Sequence, residues 1–179
     1  MTKLELLCML RADVDKLPIE ELVSEYYDLS EKLDTESANK SVKFFNLEHI
    51  VKIRELEINR NFPDNLPSDH VLRSIDLKAE FPMKLFKEYT DTIKLYLDQF
   101  LPGTDYYKSI IWIVCAYRAF ILEQPMHPQK VVRYVIKKRK IPSNNTNRIT
   151  EINEYYCPSR EEGQDSVCKF CPCHYLPNK

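Results

Sequence analysis

The sequence predicts a mainly α protein: a helical domain over residues 1–125 with a buried central helix, and a small C-terminal lobe over 126–179 packed on the helices, with the makings of a β-hairpin. Three observations predict it. Apolar residues recur at spacings of three and four through the first 125 positions. One stretch, Ile110 to Leu122, is apolar nearly all round. After Pro125 the chain turns to β-formers and then to cysteines.

The elements follow in order. Thr2 and Glu5 have the spacing of a capping box, so a helix starts almost at the first residue. Pro18 suits the first turn of a second helix, whose stripe is Ile19, Leu22, Val23, Tyr26, Leu29 and Leu33. Phe45, Ile50, Ile53 and Leu56 continue the pattern in a third segment, with Val42 fitting its start. The run from Asn61 to Ser68 is rich in turn residues and reads as a loop. Ser68 is placed to cap a further helix that Pro82 ends or kinks. Leu85, Phe86, Tyr89, Ile93, Tyr96, Leu97 and Phe100 form the next stripe, stopped by Pro102-Gly103. Thr104 can cap the following helix, which holds the Ile110–Leu122 stretch. A helix with no polar face belongs at the centre of the molecule, so Trp112 and Ile113 are expected inside.

Beyond Pro125, Val131, Val132, Tyr134, Val135 and Ile136 are β-formers. Lys137-Lys138-Arg139-Lys140 is a basic turn, and Ile149, Ile152, Tyr155 and Tyr156 can return as a strand that delivers Cys157.

Composition narrows the function. A chain of 179 residues can bury a core of its own. A net charge of −1 gives no molecule-wide field for drawing in nucleic acid or an acidic membrane. Only two glycines are present, and neither a P-loop nor a dinucleotide fingerprint can be written. No apolar run is long enough for a membrane span, and the apolar N-terminal stretch is too short for a secretory core. The expected location is the cytoplasm, where thiols stay reduced and clustered cysteines favour metal over disulfides.

Four of the six cysteines stand together as Cys157-x10-Cys168-x2-Cys171-x-Cys173, followed at once by His174. Two thiolates three positions apart form a chelating knuckle, and a third closes a loop around the same centre. Three thiolates and one further ligand make a closed tetrahedral site, whose binding energy can hold down a segment too small to fold alone. Zinc suits such a mixed sphere. An iron–sulfur cluster such as [4Fe–4S] is the alternative, although the spacing matches neither ferredoxin pattern. By local spacing the fourth ligand is Cys173 or His174.

The segment from Lys108 to Cys171 resembles a family of small, uncharacterised methanogen (archaeal) proteins known as a domain of unknown function. The likeness is carried by Gln124-Pro125-Met126-His127-Pro128, Tyr155-Tyr156-Cys157-Pro158 and Cys168-Lys169-Phe170-Cys171. The resemblance implies that His127, Cys157, Cys168 and Cys171 are the matched positions and complete a site of three cysteines and one histidine. It supplies no reaction. The glycine-free stretch Gln129–Asn147 departs from the glycine-rich segment of that family.

No catalytic constellation is recognisable. His49, His70, His127 and His174 are scattered, and His49 has no second histidine four residues away. Asp64, Asp69 and His70 share one loop, where turn and capping chemistry explains them. Cys115 reads as a small apolar filler. The expected protein is therefore a metal-binding interaction or scaffold module, with a protein partner. A redox or enzyme component built on an iron–sulfur cluster is the second reading. A nucleic-acid-binding zinc protein, gripping phosphates through Lys137, Lys138 and Lys140, is the third.

Overall fold

The computed structural model describes residues 1–32, 38–56, 64–100, 105–124, 130–135, 151–156 and 167–171. Helix α1 spans Lys3–Val14 and begins at the predicted capping box. The Glu5 N–H donates to Thr2 Oγ1 at 3.1 Å, and the Thr2 N–H donates to Glu5 Oε2 at 2.7 Å. That hydrogen bond from the Thr2 backbone holds the Glu5 carboxyl below its ordinary range. The next orphan donors of the helix start pair with a returning segment: Lys3 N–H reaches Ala79 O at 3.0 Å and Leu4 N–H reaches Leu77 O at 2.9 Å. Phe81 N–H closes the same seam on Met1 O at 3.2 Å. The first four residues are thereby stitched to residues 77–81.

Helix α2, Ile19–Glu31, starts directly after Pro18 and turns its stripe inward, with Leu22 buried and Ile19, Tyr26 and Leu29 packed against the core. Helix α3, Ala38–Glu55, lies against it; Tyr26 stacks on Phe44 at 5.1 Å, and Lys43 pairs with Glu25. Within α3 the buried positions include Leu47, Ile50, Val51 and Ile53, whereas Val42 is exposed and stands outside the stripe.

The expected helix from Ser68 to Pro82 is instead a short 3-10 turn, Val71–Ser74, capped by His70. The His70 Nδ1 accepts the Leu72 N–H at 3.2 Å. Arg73 donates to the carbonyls of Asp64 and Leu66, at 2.8 Å and 2.6–2.9 Å, which folds the loop back on itself before a helix can extend. Pro82 opens helix α4, Met83–Phe100, rather than closing the segment before it; its carbonyl accepts the Phe86 N–H at 3.2 Å. A proline at a helix start loses nothing, because its missing donor would have no intrahelical partner. Phe86, Tyr89, Ile93 and Leu97 of α4 are buried. Leu85 and Tyr96, each one position off that stripe, are exposed.

Helix α5, Asp105–Ala116, runs without interruption into a π-helical stretch, Tyr117–Leu122. Ala116, Tyr117 and Arg118 are buried in succession, which requires protein on more than one side. Helices α1 and α3 provide it. Ile113 is fully buried as expected, while Trp112 is only half-buried. Strand β1, Lys130–Val135, pairs antiparallel with β2, Glu151–Tyr156, with Lys130 opposite Tyr156 and Val135 opposite Glu151. A last 3-10 turn, Val167–Phe170, returns to the helices and packs on α4. No helix among the described residues is long and apolar enough to cross a membrane.

Replacing Thr2 with alanine removes half of the capping box. We expect a loss of about 1 kcal/mol in urea unfolding. A midpoint equal to that of the parent chain would contradict the role given to this cap.

Candidate metal centre

The C-terminal turn is anchored by the three-residue repeat of a 3-10 helix, which brings positions i and i+3 into line. Val167 and Phe170 both enter the main core, 7% and 8% exposed, and Cys171 follows them at 4%. The Phe170 ring stands edge-on to Tyr89 at 5.3 Å and 89°. Tyr89 also meets the rings of Phe120 at 5.0 Å and Phe86 at 6.1 Å, so one aromatic cluster joins α4, the π-helical stretch and the residue before Cys171. Such edge contacts add to the area that the rings bury. The Tyr89 hydroxyl donates to Trp112 O at 3.2 Å, giving the buried phenol a partner. Burial, and secondarily the nearby Cys115, push that phenol well above its ordinary range.

Of the predicted ligands, Cys171 is placed in full, within this apolar shell. Cys168 lies in the 3-10 turn, three positions earlier on the backbone. His127 and Cys157, together with the alternatives Cys173 and His174, lie outside the described residues, as does the basic turn Lys137–Lys140. Among the described residues no group of three or more His, Cys, Asp or Glu side chains is arranged to hold a metal ion. Of Asp64, Asp69 and His70, His70 caps a turn, its Nδ1 accepting the Leu72 N–H. Cys115 is half-buried.

The chain leaves the π-helical stretch through Glu123, which adopts φ 51° and ψ 41°. It is the one non-glycine residue with positive φ among those described. The αL conformation costs an ordinary residue roughly 1–2 kcal/mol, so contacts must hold it. The N–H groups of Glu123 and Gln124 both close on Arg118 O, the latter at 2.9 Å, and the Glu123 carboxylate pairs with the buried Lys3 at 2.5 Å. These bonds fix the backbone at Glu123, four positions before His127 in the sequence.

A second polar feature was not anticipated from the residues. Arg118, inside the apolar helix, is 7% exposed, and its Nη1 lies 3.0 Å from His49 Nε2. His49 Nδ1 lies 2.7 Å from the carbonyl of Phe45. A carbonyl only accepts, so Nδ1 carries the proton and Nε2 accepts from the guanidinium. The same guanidinium sits 4.5 Å above the Phe45 ring. Burial, with the Arg118 charge adding to it, lowers the pKa of His49 from 6.5 to about 4. The signal lay in the chain: an arginine within an otherwise apolar helix needs a buried acceptor, and His49 follows Phe45 by one helical turn on α3.

A family model described as "Uncharacterized protein conserved in archaea (DUF2115)" matches residues 2–175. The chain belongs to this archaeal family. A relative, the UPF0305 protein of Methanocaldococcus jannaschii, is 27% identical over 96 residues, covering 52% of this chain and 53% of that protein. The chain thus spans about half the length of that relative. No solved structure matches.

Two outcomes follow from this geometry. Phe170→Ala should cost about 3 kcal/mol in chemical unfolding, because it empties a ring-sized space beside Tyr89. An effect below about 0.5 kcal/mol would mean that the turn is not part of the core. For His49, the unfolded chain takes up a proton as pH falls below 6.5, whereas the folded chain resists until about pH 4. Its contribution is therefore full above pH 6.5 and is lost through that window, by up to ~3 kcal/mol. In His49→Gln the unfolding free energy should fall less steeply over the same interval; an unchanged slope would contradict the assignment.

Proposed function

We propose that this chain binds one metal ion, zinc, in a closed site formed by Cys157, Cys168, Cys171 and His127. The metal's role in this reading is structural. It ties the C-terminal lobe, residues 126–179, to the helical body, and the protein serves as an interaction or scaffold module in the cytoplasm. The observation that carries the reading is the joining of the Cys168-x2-Cys171 pair to a 3-10 turn whose apolar residues are locked into the core. Cys168 lies within that turn and Cys171 follows it directly, and the two-residue gap between them is the spacing of a chelating knuckle. Cys171 is withheld from water, as a structural thiolate ligand is. The sequence adds Cys157 and the histidine-bearing segment, which follows the fixed exit at Glu123. Soft thiolates with one imidazole suit zinc in tetrahedral coordination.

Elemental analysis of protein purified without oxygen should give one zinc per chain. Cys157→Ser and Cys171→Ser should each abolish that stoichiometry, and a chelator should render the C-terminal segment sensitive to protease. Metal-free protein whose tail resists protease equally with and without chelator would refute the proposal. Iron with acid-labile sulfide and a broad visible absorption would replace it with an iron–sulfur assignment.

A further inference from the structure

A cleft of about 620 Å³ opens between the C-terminal end of α1, the last turns of α4 and the first turns of α5. Among the described residues, none that lines it belongs to the proposed metal site, so the two can be tested apart. Its size is that of small-molecule sites, which are mostly apolar and carry few polar groups. Leu17, Leu97 and Ile113 are buried side chains that form its apolar floor, and the half-buried Trp112 forms a wall.

The charges on the rim decide what would fit. Lys16 pairs with Asp13 at 2.7 Å, and Lys108 pairs with Asp98 at 2.9 Å. Those four charges cancel within the protein. The fifth, Lys94, is exposed and has no carboxylate partner among the described residues. An ammonium with no carboxylate partner among the described residues, beside an apolar lining that includes Trp112, matches a flat ring system with one negative charge. A polyanion such as pyrophosphate would face two carboxylates with only one cation to spare, and an uncharged ring would leave Lys94 unused.

We propose that this cleft binds a small aromatic monoanion, a carboxylate or sulfonate on a one- or two-ring body, with its ring against Trp112 and its charge on Lys94. Trp112 is the single tryptophan of the chain, so its fluorescence reports the cleft directly. The probe is anilinonaphthalene sulfonate, titrated into the full chain at low salt. We expect saturable one-to-one binding with energy transfer from Trp112. Lys94→Met should weaken it about five-fold, the size of a surface ion pair, and added salt should weaken it similarly. The uncharged N-phenylnaphthylamine should bind the parent chain and the variant equally. Lys94 is exposed, so the variant should fold; an unchanged helical dichroism verifies this. Absent or unsaturable binding, affinity for the sulfonate indifferent to Lys94→Met, or stronger competition by pyrophosphate than by naphthalene sulfonate would each overturn the proposal.

Discussion

A helix with no polar face must be enclosed, and the rest of this structure is arranged to enclose α5 and its π-helical extension. Burying Ile110, Ile113, Val114, Ala116, Tyr117 and Ile121 requires neighbours on several sides. Helix α1 is held in place by its pairing with residues 77–81, and α3 brings its own stripe. The constraint sharpens at Arg118. A buried guanidinium without a partner would cost several kcal/mol, and His49 and the Phe45 ring answer it from α3. One contact between the two helices thus combines a charge, a neutral imidazole fixed in one tautomer and an aromatic face. Helix α3 cannot slide or rotate past α5 without breaking it.

Much of this order could be read from the residues, for identifiable reasons. The capping box at Thr2 is a local motif that needs no tertiary help, and it stands where the spacing put it. Apolar periodicity reports burial in part: Leu22 of α2 and Phe86, Tyr89, Ile93 and Leu97 of α4 are buried, whereas Leu85 and Tyr96 are exposed. The reading failed where a tertiary partner outweighed local preference. Ser68 has the stronger capping propensity, yet His70 caps the turn because Arg73 has already drawn the Asp64–Leu66 backbone inward. Pro82 is equally compatible with ending one helix or starting another, and propensity alone does not choose. The hydrophobicity of its neighbours points Trp112 to the interior, but it is half-buried and lines a cleft. The π-helical stretch has no signature among its apolar residues, and the His49–Arg118 pair spans 69 positions.

For the candidate site, the residues carry a cysteine spacing and say nothing of its setting. The spacing does not reveal that the turn beside Cys171 is a structural part of the helical core, wedged through Phe170 against Tyr89. Nor does it reveal the left-handed Glu123, held by Lys3, the first residue of α1, four positions before His127. In the proposed reading the metal supplies what so short a lobe cannot bury for itself, while the aromatic cluster supplies the platform.

The proposed site stands or falls on the atoms around its metal. X-ray absorption at the zinc edge, on protein as purified, measures them most directly. The expected shell is about three sulfur neighbours near 2.3 Å and one imidazole nitrogen near 2.0 Å, with the imidazole scattering lost in His127→Ala. A shell of oxygen and nitrogen alone, or zinc too sparse to give an edge, would contradict it.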